Sequence, residues 1–365
     1  MNLMLEKLLF VRIISQVPFF YFLLHFCSAQ DVPAFYIFGD SLVDVGNNMY
    51  LKNTIAKPGF PNGIDFGNPV GVPSGRYTNG RTVIDIIEQE SGLKSCTPPY
   101  LGPTTTGNVI LKGVNYASAA SGILNETGSV FGNIIPLDMQ ISNFAKTRQD
   151  IILQIGTLAA QKLLNRAIHI VATGSNDVMH VAETKLERPK SYYLDTIISR
   201  FRSQLTRLYR LDARKFIVAN IGATGCVPNV RDKYPLIFDG CAPSFNKISQ
   251  AYNRRLKRLL EELHANLTGS KFVLANTYAM TEDIIRNYIS YGFENVDEAC
   301  CHLLGPHGGL VFCFELSHVC QDRTKYVFWD PWHLTETANL IVAKHTMDGG
   351  RNYISPMNFR QLLNS

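Results

Sequence analysis

The chain has 365 residues, 46% of them hydrophobic and 18% charged, with 27 Gly and 17 Pro. That is a globular composition with room for one large domain or two small ones, and no 20–50-residue repeat is present to suggest a solenoid or propeller. The net charge of +5 comes from scattered basic residues. The densest cluster, NRRLKRLLEEL at 253–263, runs into acids and carries Leu at helical spacing. It reads as a solvated helix face, so no nucleic-acid partner is expected.

The chain opens with Lys7 and Arg12 ahead of an apolar run at 17–26, followed by the small residues of CSA at 27–29. This is the three-part pattern of a secretory signal. Arg12, Ser15 and Gln16 leave an apolar core of roughly ten residues, half of what a membrane span needs. Residues 1–29 are therefore expected to be removed, leaving one domain over 30–365 in an exported protein without a transmembrane segment. Two N-x-T sequons, at Asn125 and Asn266, are the glycosylation acceptors such a protein would carry.

Beyond the leader, short apolar runs at 34–38, 113–117, 167–172, 215–220 and 271–276 read as strands. Helical periodicity falls at 82–89, 137–148, 192–208, 244–266 and 335–345. Runs such as HIVAT and FIVAN are almost wholly apolar, as strands covered on both faces are. The alternation predicts an α/β fold: a doubly wound three-layer sandwich around a mainly parallel five-stranded sheet. The Gly/Pro-rich segment 58–81 reads as a long loop that shapes a binding site or lid. The first three strands run out into GDS, NYASAASG and TGSND. Ligands of open α/β sheets sit at such carboxyl ends, so these exits should meet in one crevice.

Seven cysteines follow the leader: Cys96, Cys226, Cys241, Cys300, Cys301, Cys313 and Cys320. In an exported chain they should form disulfides, and an odd number leaves at least one unpaired. His302, His307 and His318 share the 300–320 stretch with four of them. The C-x-x-C and H-x-x-x-H spacings of zinc sites are missing there, so no metal is expected.

A serine nucleophile needs a base, a group that orients the base, and donors for the oxyanion. Of the nine histidines, His25 leaves with the leader and His169 lies inside a strand, where packing explains it. His264 and His345 fall on helices and read as surface residues. His333, in WDPWHL, follows Asp330 by three residues, a spacing that lets the carboxylate hold Nδ1–H while Nε2 faces a serine. No G-x-S-x-G elbow is present. The candidate serine is Ser41 in GDS. Asp40, Asp44 and Asp177 flank the motifs and read as turn caps.

With these blocks in order, the chain resembles the plant GDSL esterase/lipase family of the SGNH hydrolases. FGDSLVDVGNN at 38–48 is similar to its first block, NYASAASGIL at 115–124 to its second, GSND at 174–177 to its third and DPWHLTE at 330–336 to its fifth. The resemblance runs from about residue 34 to 345. It implies Ser41 as nucleophile, with His333 and Asp330 as its partners. The oxyanion donors would be the backbone N–H groups of Ser41 and Gly122 and the side-chain amide of Asn176. It implies a monomeric, cofactor-free enzyme of the cell wall or apoplast acting on lipid, small or acylated polysaccharide esters. A catalytically weak carbohydrate- or lipid-binding member and a cell-wall polysaccharide deacetylase are the alternatives. Two positions depart from the family: Leu334 stands where Pro usually follows the histidine, and His302 where Gly follows the paired cysteines. Without the ring that would fix its turn, Leu334 is expected to loosen His333 and weaken activity.

Overall fold

The computed structural model describes residues 33–67, 72–93, 95–234 and 240–365. The proposed leader lies outside them. The strands begin where the apolar runs are densest: β1 Phe35–Gly39, β2 Gly113–Asn115, β3 Ile168–Ala172, β4 Lys215–Ala219 and β5 Lys271–Ala275. All neighbours among these five are parallel. Two small sheets follow. β6 Asn295–Ala299 pairs in parallel with β9 Tyr326–Phe328, and β7 Cys301–His302 is antiparallel to β8 His318–Val319.

The central sheet has one strand more than expected. β10, Ile354–Ser355, adds antiparallel to β5, giving the order β10-β5-β4-β3-β1-β2. Two residues are too few to show any alternation, which is why this edge strand leaves no mark in the sequence.

Side chains of a strand alternate between faces, and both faces here are covered. Tyr36, Phe38, Val171, Phe216 and Val218 pack with Phe144, Phe201 and Tyr252, from the helices Leu137–Ile155, Lys190–Arg210 and Pro243–Asn266. Phe35, Ile37, Ile168, Ile170 and Ile217 pack on the opposite side with Ile84, Ile87, Met347 and Phe359. Those come from the helices Val83–Glu90, Glu336–Asp348 and Phe359–Leu363. Each fully buried Phe or Ile contributes about 1.5–3 kcal/mol, so the two faces together drive the fold. Thr82 starts the Val83–Glu90 helix with a capping box closed by Asp85.

Helices Thr157–Arg166, Ser175–Glu183 and Thr277–Arg286 lie beyond those read from periodicity. At Gly156, φ is 80°; this left-handed residue ends one helix and starts the next. GSND, read as a strand exit, is the N-terminus of the Ser175–Glu183 helix, entered through Gly174 at φ 106°.

From β1 the sheet grows one way to β2 and the other way to β3. The switch point of a doubly wound sheet therefore lies between β1 and β3, where a crevice opens at the carboxyl ends. Ser41 follows β1 by two residues, and Asn176 stands in the first turn after β3. Among the described residues, no helix is long and apolar enough to cross a membrane.

Candidate active site

The turn that carries Ser41 is held from beneath. Gln140 donates from Nε2 to the Gly39 carbonyl at 2.8 Å and accepts the Gly39 N–H at Oε1, 2.9 Å. A Cβ at Gly39 would lie 2.2 Å from the Ala172 carbonyl oxygen, so only glycine lets β1 and β3 close up there. Past this pinch the Asp40 N–H still bonds to Ala172 O at 3.2 Å, and the Asp44 N–H returns to Asp40 O at 3.0 Å. Ser41 stands at the top of the resulting turn.

Nε2 of His333 lies 2.7 Å from Ser41 Oγ. Nδ1 of the same ring meets both Asp330 oxygens, Oδ1 at 2.8 Å and Oδ2 at 2.7 Å. Asp330 Oδ1 also accepts the Trp332 and His333 N–H groups, each at 2.8 Å. The carboxylate thus fixes both the ring and the backbone of the turn. Asp330 and His333 are buried while Ser41 is partly open, an arrangement that leaves the hydroxyl as the reachable end of the chain.

The departure at Leu334 is supported by other contacts. Trp329 N donates to His333 O at 2.8 Å and Thr335 N to Val327 O at 3.0 Å, so Phe328 and Leu334 face each other across a short antiparallel bridge. Thr78 Oγ1 donates to the Leu334 carbonyl at 2.9 Å, and Arg81 pairs with Glu336 at 2.6 Å. Tyr77 lays its ring 5.4 Å from that of His333 and donates its hydroxyl to Ala56 O at 2.9 Å. The segment read as a lid or site-shaping loop is therefore tied to the histidine turn through residues 77–81.

The oxyanion candidates come from separate elements. Asn176 donates from Nδ2 to Ser121 O at 2.9 Å, which uses one of its two amide hydrogens. Among the described residues, the N–H groups of Ser41 and Gly122 donate to no protein atom. Ser41, Asn176, Asp330 and His333 line one cavity. Gly122 is not on its wall but follows Ser121 directly. A Cβ at Gly122 would come 2.4 Å from Asp177 Oδ2.

Asp177 does more than cap its own turn. Its carboxylate reaches back to accept from Ile123 N at 2.9 Å, Leu124 N at 3.0 Å and Thr127 Oγ1 at 2.7 Å, which clamps the second motif onto the third. Asp44 accepts from Gly46 N and Asn47 N, both at 2.8 Å, and from Ala119 N at 3.1 Å. Asp40 accepts from Leu42 N at 3.1 Å. Burial pushes Asp40 up to about 7 and Asp44 up to about 6, against their backbone bonds.

The other histidines and the cysteines have definite places. His169 is wholly buried among Tyr36, Phe144 and Phe216, and that burial lowers it to about 3. His264 is exposed. His345 is not a surface residue: it is half-buried, stacks on Tyr353 at 4.0 Å and faces Asp283 at 3.7 Å. Disulfides join Cys226–Cys241, Cys300–Cys320 and Cys301–Cys313, and Cys96 is free. His302 and His318 meet edge to face at 5.2 Å beside the last two bridges. Asn125 and Asn266 are both exposed.

Gln140, Tyr77 and Thr78 went unread in the sequence. Each acts on a segment 100 or more residues away, or across the fold, and carries no local pattern. Asp177 was visible only as a neighbour of Asn176.

A hydroxyl, an imidazole and a carboxylate stand in series at the switch point of a doubly wound sheet, the arrangement that serine hydrolases use. The family model described as GDSL-like Lipase/Acylhydrolase matches residues 35–346. The chain is similar to three Arabidopsis thaliana proteins. GDSL esterase/lipase At4g16230 is 51% identical, covering 92% of each chain. GDSL esterase/lipase At2g23540 is 41% identical over 90% of this chain and 87% of its own. GDSL esterase/lipase 7 is 39% identical over 90% and 92%. The chain belongs to the GDSL esterase/lipase family, whose members are carboxylic ester hydrolases.

Proposed function

We propose that this protein is an exported serine esterase in which Ser41, His333 and Asp330 act in series. The observation that carries the reading is the unbroken chain from Ser41 Oγ through His333 to Asp330, with contacts of 2.7 to 2.8 Å. Ser41 Oγ attacks the ester carbonyl as its proton passes to His333 Nε2. The imidazolium is stabilised by Asp330 at Nδ1–H. The oxygen that gains charge accepts from the N–H groups of Ser41 and Gly122 and from the remaining amide hydrogen of Asn176. Collapse expels the alcohol oxygen, which takes the proton from Nε2 and leaves an acyl-Ser41. Water, deprotonated by His333, then attacks the acyl carbon; the bond to Ser41 Oγ breaks, Oγ takes the proton back from Nε2, and the acid leaves.

Three disulfides and two exposed sequons support export, since such bridges persist in oxidising compartments. Mass spectrometry of the protein from cells and from their medium should find it in the medium, with an N-terminus near Gln30 and glycans on Asn125 and Asn266. An intact Met1 would overturn the export reading.

Ser41→Ala tests the chemistry. The variant should melt as the parent does, yet lose ester hydrolysis and labelling by a serine-directed phosphonate. Parental turnover in a folded variant would remove Ser41 as nucleophile.

A further inference from the structure

The cavity that opens at Ser41 holds about 1300 Å³, above the usual range for a small-molecule site. It does not end at the carboxyl edge of the sheet. Its wall includes Ile170, Ala172, Ile217 and Ala275 from the strands, with Ile87 and Val342 from the helices over that face. An arm of the cavity therefore runs inward between the sheet and the helices Val83–Glu90 and Glu336–Asp348.

Exposure along the strands marks the same boundary. On this face Phe35 and Ile168, at the amino ends, are 0% accessible, whereas Ala172 and Ala275, at the carboxyl ends, are 6% and 4% accessible. The room comes from side-chain size. Ala172, Ala219 and Ala275 end the adjacent strands β3, β4 and β5, while Ile170, Ile217 and Val273 form the layer behind them. From β3 to β5 is two strand spacings, about 10 Å. Two threonines on the wall are satisfied by their own helices: Thr346 Oγ1 donates to Val342 O at 2.9 Å and Thr281 Oγ1 to Thr277 O at 2.9 Å. An apolar cavity of this kind stays dry and takes apolar ligands.

We infer that the arm between the sheet and the Val83–Glu90 and Glu336–Asp348 helices receives a long aliphatic chain of the substrate ester, with Ala219 and Ala275 setting how far it enters. The inference rests on the esterase reading for the identity of the reacting group. The occupant's chemistry follows from the wall: a hydrocarbon chain matches an arm walled by Ile87, Ile170, Ile217, Ala219, Ala275 and Val342.

The test uses two ester series, aryl esters of graded acyl length and acetates of graded alcohol length, which show whether the chain is the acyl or the alcohol half. The parent should prefer the long member of one series. Ala219→Leu should lower the long-to-short ratio of kcat/KM in that series about ten-fold, the scale on which a pocket discriminates single carbon groups. Ile87→Ala, which widens the arm, should move the ratio the other way. Loss of stability alone cannot drive two ratios in opposite directions. A fluorescent fatty-acid probe on Ser41→Ala protein supplies a readout without chemistry. Adding Ala219→Leu should weaken its binding about ten-fold on the same scale. Probe binding that depends on Ala219, in a protein whose parent cleaves no ester, would sink the esterase reading and leave the arm standing. Ester cleavage with no chain-length preference and no dependence on Ala219 would overturn the arm and leave the esterase reading standing.

Discussion

Asn176 holds the Ser121 carbonyl with one amide hydrogen and has a second to offer. If that second hydrogen serves the oxyanion, its bond strengthens as charge builds in the transition state and acts on kcat more than on binding. Asn176→Ala should then lower kcat by about 10²–10³ with KM little changed. Losing the Ser121 bond as well should cost roughly 0.5–1.5 kcal/mol of stability, so kinetics and a melting curve are taken on the same purified variant. A rise in KM with kcat preserved would refute the oxyanion role. Ser41 stood out in the sequence as a candidate because it follows a strand exit, and Asp330 and His333 because of their three-residue spacing. Gln140 could not, because it pinches Gly39 from a helix 101 residues away.

The element that places His333 is a turn stitched to a loop. Leu334 lies opposite Phe328 with the ladder bonds on either side of the pair, so its own N–H is not part of the ladder and proline would remove no bond. What proline would supply through a fixed φ comes here from Thr78 Oγ1 on the Leu334 carbonyl. Thr78→Val should loosen the turn and lower kcat about ten-fold, since small misplacements of a catalytic group are expensive. Leu334→Pro in that background should recover part of the loss. A double variant no better than Thr78→Val would mean that the threonine does not act through this turn. At this scale the sequence was legible wherever one element had its own pattern. The five parallel strands showed as apolar runs because both of their faces are covered. The Thr157–Arg166 helix did not, because only Ala160 and Leu164 of its ten residues are buried, which leaves little apolar stripe to read. The Leu334 departure was legible as a missing proline. Its compensation was not, since Thr78 lies 256 residues away.

Stability against pH belongs to the whole molecule, and buried carboxyls on both sides of the sheet's carboxyl end shape it. Burial pushes Glu88 up to about 7, as it does Asp40, while Asp44 reaches about 6. Between the ordinary carboxylate range and these values, the folded protein keeps protons that the unfolded chain has released. Their contribution is therefore fully present below about pH 4 and is lost as pH rises through about 7. Two groups pull the other way. His169 stays neutral down to about 3, and Asp85, paired with Arg76, is held below the usual carboxylate range despite its burial. Both contribute stability that is lost on acidification. Glu88 isolates the first effect because it takes no part in the proposed chemistry. It accepts Thr97 N at Oε2, 2.8 Å, while Oε1 is buried without a partner. Once ionised, it adds a second carboxylate to a buried cluster in which, among the described residues, the Arg76 guanidinium is the cation beside Asp85 and Glu88. Glu88→Gln removes that charge at every pH. The variant should melt about 2–4 °C above the parent near pH 8, the shift expected from roughly 1 kcal/mol. Near pH 4, where Glu88 is protonated in the folded parent and largely so in the unfolded chain, the difference should vanish. Paired melting curves at the two pH values decide the matter, and an equal gain at both would show that the substitution acts through packing rather than through a proton.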